Sequence, residues 1–263
     1  MKNFSVPILS ILLATAANGL AGETYEPTTD RWIFANLPET ESHSLVCPTG
    51  VRPQGWDFTP EVRVNDPTPG FHLWPDVAIG RSDTLHAIWM DERTGRYRIY
   101  CSYSTDYGLT WSPDELVDDS PTGMCRFPAV AADRAGGVYA LWEDSRAGLF
   151  DVYFSSRVWS ETVFVWTPSQ KINDAGSSPG AGDYMNASIT AGARGHVYAA
   201  WTDWREGVYH QVYSSVSTDG GANWTPDSRI SDEVGVDPVA ADPSLLVDPD
   251  DSLTVYCVFN DWR

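Results

Sequence analysis

The chain has few basic residues, few cysteines and no long apolar run after its first 21 residues. Its 263 residues include 17 Lys and Arg against 36 Asp and Glu, which gives a formal net charge of −19. A phosphate backbone is bound by clustered basic side chains, so this balance argues against a nucleic-acid partner. A membrane-spanning helix needs about 20 apolar residues, and no span is expected here. Helical periodicity is also absent, which favours an all-β chain.

Sequence motifs for a cofactor or a metal ion are missing as well. There is no Gly-rich phosphate loop before a helix pattern, no Gly-x-Ser-x-Gly, and no His-x-x-x-His among the five histidines. The turn at 248–251 is rich in Asp and could offer oxygen ligands to calcium. The repeat described below places an ordinary hairpin turn there, so we expect no metal and no cofactor.

Residues 1–21 have the pattern of a secretory signal. Lys2 supplies the positive start, residues 4–17 are largely apolar, and 19–21 (Gly-Leu-Ala) offer small residues for cleavage. This pattern predicts an exported protein, either extracellular or periplasmic.

Four cysteines in an exported chain could form two disulfides. Cys257 is different, because the equivalent position of the other repeats carries Ala. We interpret it as a small buried filler. Cys47, Cys101 and Cys125 are left unassigned.

What the chain does contain is the motif Trp/Phe-x-Asp-x-Arg, repeated every 53–59 residues. The four copies are Trp89–Arg93, Trp142–Arg146, Trp201–Arg205 and Phe259–Arg263. A period of this size indicates repeated supersecondary units, such as stacked repeats or propeller blades. Around each copy, alternate residues form one packed face, so each motif is predicted to end a β-strand.

Each repeat has room for four short strands, which is the composition of a propeller blade. The predicted units are a lone outer strand at 56–66, whole blades at 71–119, 127–174 and 186–232, and half a blade at 243–263. Residues 22–55 match no repeat and are predicted to be irregular. The result is an incomplete propeller, as expected for a truncated chain. An open propeller exposes the edge of its last strand, so residues 22–263 alone are expected to be marginally stable.

Two repeats contain Ser-x-Asp-x-Gly-x-x-Trp between their third and fourth strands. The matching residues are Ser104, Asp106, Gly108 and Trp111, then Ser217, Asp219, Gly221 and Trp224. Short Ser and Asp side chains bond nearby backbone N–H groups, and Gly supplies a positive φ. The Trp then packs against the blade. The middle repeat lacks this pattern and has Arg157 in place of the Ser.

This pattern resembles the Asp-box, or BNR repeat, of bacterial sialidases and related propellers, and the resemblance covers residues 56–263. It implies an all-β, sialidase-like β-propeller of four-stranded antiparallel blades. It also implies that the Asp-box residues are structural, since in that family they lie on the face opposite the active site. Fold alone does not specify the function.

The face opposite the Asp-box turns holds the substrate in the resembled sialidases, and it collects the candidate ligand residues here. The candidates are the repeated Arg93, Arg146 and Arg205 and the unrepeated Asp76, Arg126, Glu143 and Tyr184. Each repeated Arg lies two residues after an Asp and could form a structural ion pair with it. Alternatively, these guanidinium groups bind a ligand carboxylate.

Sialidases also carry a Phe/Tyr-Arg-Ile-Pro motif, whose Arg grips the substrate carboxylate. Residues 125–128 (Cys-Arg-Phe-Pro) stand at the equivalent place in a blade, so Arg126 is either a ligand contact or a solvated loop charge. Sialidase chemistry, as the resemblance implies it, also needs a Tyr nucleophile paired with a Glu. No such pair can be assigned, and the resemblance places the family's nucleophile late in the propeller, beyond this chain. Tyr184 is either a site residue or a packing aromatic. No catalytic residue is assigned.

Two functions therefore remain open from the sequence. The first is an exported propeller that binds a glycan or a cell-surface partner without catalysis; Trp74, Trp204 and Trp262 would then stack on sugar rings or pack between blades. The second is an exo-sialidase or related glycoside hydrolase of which this chain is the N-terminal portion, supported by Arg126 and the family resemblance. We favour the first, because the repeats are uniform and the Tyr–Glu pair is missing.

Overall fold

The computed structural model describes residues 8–15, 61–160, 163–174, 186–205, 210–232, 240–248 and 253–261. The chain divides into two compact units, one of residues 1–16 with 62–263 and one of residues 17–61. The predicted irregular segment 22–55 lies outside the described residues. The description below concerns the first unit, whose described part is almost entirely β-structure.

The described residues of this unit form four antiparallel sheets. The strands are β1 (Ile8–Thr15), β2 (His72–Ile79), β3 (Leu85–Asp91), β4 (Arg98–Ser104), β5 (Glu115–Leu116), β6 (Cys125–Ala132), β7 (Val138–Asp144), β8 (Asp151–Ser160), β9 (Val163–Trp166), β10 (Gln170–Lys171), β11 (Ser188–Ala191), β12 (Val197–Asp203), β13 (Gln211–Ser217), β14 (Ser228–Arg229), β15 (Ala240–Val247) and β16 (Thr254–Asp261). The first sheet has the order β2-β3-β4-β5 and the third β11-β12-β13-β14. Short 3-10 turns, Arg81–Asp83 and Ala193–Gly195, join the first two strands of these sheets. The prediction of four-stranded antiparallel sheets is confirmed.

The second sheet departs from this plan where its repeat lacks the Ser-x-Asp-x-Gly turn. Its order is β6-β7-β8-β10, with β9 also paired to β8. The long β8 turns back into β9, with Arg157 opposite Trp166. Without the short polar residues that close a tight turn, the hairpin continues beyond the usual strand end.

The fourth sheet has the order β15-β16-β1. All eight residues of β1 pair with β16, from Ile8 opposite Asp261 to Thr15 opposite Thr254. The sequence pattern predicted only half a blade here and assigned residues 1–21 to a signal, so this third strand was not anticipated. The outer edge of β16 presents unpaired backbone groups, and an extended apolar segment can pair with them.

The lone outer strand predicted at 56–66 has no counterpart among its described residues, because 61–66 form no strand. Residues 56–60 lie outside the described ranges. Asp66 nevertheless makes the contact typical of the repeat, since its backbone N–H donates to both carboxylate oxygens of Asp114.

The cores lie between successive sheets. Trp142 packs with Ile88 and Ile99 between the first and second sheets, and Trp201 packs with Leu141 between the second and third. Both Trp side chains are fully buried. The Trp of the repeated motif is therefore core, and a buried aromatic contributes more than other residues to such a packing layer.

The described cysteines are part of the same cores between sheets. Cys101, Cys125 and Cys257 are buried and free of disulfides. Cys257 packs beside Phe259 between the third and fourth sheets, as its position in the repeat predicted. Cys47 lies outside the described residues.

The first strands of successive sheets lie beside one another: β2 contacts β6, β6 contacts β11, and β11 contacts β15. They therefore line a common axis, with the later strands farther out. Within the described ranges, no helix has the length and apolarity needed to cross a membrane.

Candidate functional site

Four residues at equivalent places on the innermost strands, or just before one of them, have left-handed backbone conformations. They are Trp74 (φ 55°), Phe127 (φ 49°), Asn186 (φ 39°) and Asp242 (φ 56°). In β2, β6 and β15 the pairing with the next strand shifts register at the left-handed residue, which marks a β-bulge. In these three strands the next residue is Pro, which has no N–H for the ladder. Bulges re-aim side chains, and strained conformations of this kind cluster at functional sites.

These four left-handed residues line a cavity of about 370 Å³ at the axis, which we call the axial cavity. Trp74 is 57% exposed there, and its ring meets that of Phe127 edge-on with centroids 4.8 Å apart. A large aromatic side chain that is exposed to solvent on a strained backbone contributes little to the stability of the fold. The axial cavity is therefore the candidate site.

The polar side of the axial cavity is centred on Asp242. Its Oδ1 accepts a hydrogen bond from the amide of Asn186, and its Oδ2 accepts one from Asn260 Nδ2 at 2.9 Å. Its backbone N–H donates to Thr202 Oγ1 at 3.0 Å. Amide donors hold this carboxylate in place, and its remaining lone pairs can accept further donors.

Arg126 and Glu143, which the sequence analysis named as separate candidates, form an ion pair next to this cavity. They lie opposite each other on β6 and β7. Arg126 Nε donates to Glu143 Oε2 at 2.7 Å, and the guanidinium lies 3.5 Å from the centre of the Phe150 ring. Glu143 is fully buried, and its Oε1 accepts the backbone N–H of Asn186 at 3.0 Å. The pair thus fixes the left-handed residue that precedes β11.

Asp76 lines the axial cavity, but both of its oxygens accept backbone hydrogen bonds. Oδ1 accepts from Val77 N and Oδ2 from Val130 N, each at 2.8 Å. The second bond ties the first sheet to the second. Ser188 makes the same tie farther along, because its Oγ accepts from Leu245 N at 3.0 Å. This equivalence indicates a structural role for Asp76. Tyr184 lies outside the described residues.

The repeated arginines pair with acidic residues rather than line the axial cavity. Each pairs with the Asp of its own motif and with a second Asp, which for Arg146 is Asp119 of the preceding blade. Arg93 bonds Asp91 and Asp114, Arg146 bonds Asp144 and Asp119, and Arg205 bonds Asp203 and Asp227. Each guanidinium also lies 4.0–4.2 Å from the centre of a Tyr ring. Their side chains are only 14–18% exposed. This geometry is that of a structural ion pair in each blade.

Asp91 shows how strongly these pairs hold a carboxylate. Burial alone would raise its pKa, but hydrogen bonds from Arg93, Trp89 and His72 lower the pKa to about 2. Trp201 likewise donates to Asp203 at 3.2 Å. In the first and third sheets the motif Trp-x-Asp-x-Arg therefore places a core Trp, a buried acceptor and a cation in one connected network. In the second sheet the indole N–H of Trp142 has no hydrogen-bond partner.

The two Ser-x-Asp-x-Gly-x-x-Trp turns lie at the opposite end of their sheets. Ser104 Oγ donates to Asp106 and accepts from Gly108 N at 2.8 Å, while Thr110 N donates to Asp106 at 2.8 Å. Asp219 makes the same set of bonds in the third sheet. Hydrogen bonds from Thr110 and Ser104 lower the pKa of Asp106 to about 2. Hydrogen bonds from Asn223 and Ser217 lower the pKa of Asp219 to about 2.

Sequence reasoning did not single out Phe127, Asn186 or Asp242. One signal was available in the sequence. The Pro at 75, 128 and 243 is repeated, but the residue immediately before it differs in every repeat.

Of the other aromatic candidates, Trp204 packs edge-on against His210 with ring centroids 5.7 Å apart, and Trp262 lies outside the described residues. In the described ranges, no three His, Cys, Asp or Glu side chains are grouped so that they could hold a metal ion.

Comparison with solved structures identifies the fold. A Dyadobacter fermentans protein of unknown function matches with a TM-score of 0.50 and 13% identity, over 71% of this chain and 61% of that one. A Hadza microbial sialidase matches with a TM-score of 0.50 and 14% identity, over 68% of this chain and 40% of that one. The fold is that of a sialidase-like β-propeller.

This β-propeller spans about three-fifths of the Dyadobacter protein and two-fifths of the sialidase. A Penicillium chrysogenum α-L-arabinanase, solved with arabinobiose, matches with a TM-score of 0.49 and 15% identity over 68% of this chain and 55% of that one. No protein-family model matches the chain, and no curated protein matches it in sequence. At these identities the likeness concerns the fold alone.

Proposed function

We propose that this chain belongs to an exported propeller that binds a glycan, free or on a cell surface, in the axial cavity without cleaving it. The observation that carries the proposal is the exposed Trp74 beside the amide-held carboxylate of Asp242. In this proposal the two Ser-x-Asp-x-Gly-x-x-Trp turns are Asp-boxes and serve the scaffold.

The chemistry of the axial cavity suits a sugar. A pyranose or furanose ring has an apolar face, which packs on an aromatic ring, and hydroxyl groups, which need fixed acceptors and donors. Trp74 and Phe127 supply the apolar surface, while Asp242 and Asn186 supply the polar groups. A sialidase shares the fold, which agrees with a carbohydrate ligand.

Binding is favoured over hydrolysis by what surrounds the carboxylates. A glycosidase needs one carboxyl group that donates a proton and a second group that attacks or activates water. Here Asp76 is held by backbone N–H groups, Glu143 by Arg126 and Asn186, and Asp242 by two side-chain amides. These donors occupy carboxylate oxygens that a catalytic pair would turn towards a substrate.

A hydrolase of which this chain forms part is the second candidate. Arg126 favours it, since this unrepeated cation lies next to the axial cavity. In the structure, however, its Nε is committed to Glu143. Incubation of the full chain with fluorogenic sialosides and arabinosides decides between the binding module and the hydrolase. Glycan binding without release of the fluorophore supports the binding module. Release of the fluorophore that depends on Arg126 contradicts the binding module.

Trp74→Ala tests the proposed site. We expect glycan affinity, measured by glycan array and then calorimetry, to fall about tenfold or more, because the stacking surface is lost. Tyr107→Ala is the matched control. Tyr107 is also 57% exposed and also has a left-handed φ, of 62°, but lies in a turn at the opposite end of the sheet. Equal affinity of the two variants would refute the axial site.

A further inference from the structure

A second cavity, of about 410 Å³, lies between the first and second sheets at the end that carries the turns. We call it the turn-side pocket. The residues that matter for its chemistry are Arg81, His86, Tyr103, Arg157 and Phe164. It is far from the axial cavity along the strands, because the turns and the bulges are at opposite strand ends.

The turn-side pocket exists because the first repeat departs from the others. His86 occupies the position of Tyr139, whose hydroxyl donates to Asp133 at 2.8 Å in the second sheet. In the first sheet Gly80 stands where Asp133 would be, so no such bond closes the space.

A second departure leaves room deeper inside. Cys101 occupies the position of Phe154, whose ring fills the next gap by packing edge-on against Trp224 at 5.0 Å. Phe154 also lies against Gly221. A Cys side chain is much smaller than a Phe, so the gap between the first two sheets is less completely filled.

The second repeat supplies the walls. Arg157 replaces the Ser of the turn motif, and Phe164 comes from β9 of the extended hairpin. The Arg157 guanidinium lies 4.8 Å from the ring centre of Tyr103 and 5.3 Å from that of Phe164. Its Nη2 donates to Glu115 at 2.8 Å, and its buried Nε has no hydrogen-bond partner. The side chain is only 9% exposed, so the Nε–H group is shielded from solvent and has no acceptor, which is energetically costly.

The charge of the turn-side pocket opposes that of the chain. The protein has a net charge of −19, yet the described residues that line this pocket include Arg81 and Arg157 and no Asp or Glu. His86 adds no charge at neutral pH, because burial and the nearby Arg157 lower its pKa to about 4.

We propose that the turn-side pocket binds a small organic carboxylate with a flat apolar body. The carboxylate meets the two arginines, and the body lies against Tyr103 and Phe164. Arginine is suited to this recognition because its planar N–H groups match a carboxylate. The proposal is independent of glycan binding at the axial cavity.

The test uses benzoate as the probe on the full chain, with calorimetry or ligand-observed NMR. We expect saturable binding of benzoate, and binding of the isosteric neutral benzamide at least about tenfold weaker, because the charge is what the arginines recognise. Acetate should bind about tenfold more weakly than benzoate, because it lacks the flat body. No saturation by benzoate at about 10 mM, or equal binding of benzoate and benzamide, would overturn the proposal.

Variants locate the binding. Phe164→Ala and Arg81→Gln change exposed side chains, so the fold should be kept, and each should weaken benzoate binding about tenfold. Arg194→Gln is the matched control: it removes the same charge from an exposed turn at the same end of the third sheet. Trp74→Ala should leave benzoate binding unchanged. Benzoate binding that survives both pocket variants contradicts the proposal.

Discussion

Arg126 and Glu143 show how a single unrepeated pair is built into a repeated frame. At the same register position the first sheet has Leu73 opposite Met90, an apolar pair. In the second sheet the position is ionic, and Glu143 is fully buried. Such a pair gains Coulomb energy but loses hydration, so its net contribution is small, whereas an unpaired buried charge is costly.

Arg126→Leu should therefore lower the free energy of unfolding by about 3–5 kcal/mol, because it leaves Glu143 without its cation. The double replacement Arg126→Leu with Glu143→Met, which copies the pair in the first sheet, should recover most of that loss. Urea denaturation of the three proteins measures both values. If the double variant is as unstable as the single one, the loss does not come from an unpaired carboxylate.

This residue pair also marks a limit of the sequence. Arg126 and Glu143 could each be chosen because they break the repeat. Their contact could not, because it depends on the register between β6 and β7, which shifts at the bulge of Phe127. Asn186 and Asp242 were missed for the same reason: an alternating strand pattern does not indicate where a residue leaves the strand plane.

At the scale of elements, the blade's polar contacts are repeated even where the residues differ. Asp114 and Asp227 follow the Pro of the Trp-x-Pro phrase and bond Arg93 and Arg205. In the second sheet this position is Ser169. Its backbone N–H and hydroxyl bond Asp119 instead, which in turn accepts from Arg146 at 2.9 Å. Each of these arginines thus bonds a second carboxylate. This carboxylate belongs either to the residue after the Pro or to an Asp that is held by the residue after the Pro.

The Ser-x-Asp-x-Gly turns give a prediction on pH. Asp106 and Asp219 have a folded pKa of about 2, below the ordinary Asp value of 3.8. A depressed folded pKa contributes stability that is present above about pH 4 and is lost as the pH falls towards 2. Denaturation measured across this range should show the loss. Asp106→Asn with Asp219→Asn should reduce this pH dependence; an unchanged dependence would mean that other carboxylates, such as Asp91, account for it.

At the scale of the molecule, the order of sheets and the core Trp residues could be predicted, since period-2 patterns and a 53–59-residue repeat specify both. The partner of β16 could not. An apolar segment such as residues 8–15 is compatible with a signal sequence and with an edge strand, and in the structure all eight of its residues pair with β16. Removal of a signal at 1–21 remains a prediction.

Deletion of residues 1–21 tests the role of β1. It would leave the outer edge of β16 unpaired, and such edges pair with other chains. We expect the shortened protein to self-associate and to unfold at lower urea concentration than the full chain. Light scattering and denaturation curves measure both effects. A monomeric shortened protein with a cooperative transition as stable as that of the full chain would show that β1 is dispensable.

The left-handed residues Trp74, Phe127, Asn186 and Asp242 separate recognition from architecture. Each lies outside the ladder of its strand, so its side chain can be exchanged without disturbing the cores between sheets. Asn and Asp accept a left-handed backbone more readily than Trp and Phe do. The same scaffold could consequently acquire a different ligand through one to four replacements, and libraries confined to these positions offer a direct route to altered selectivity.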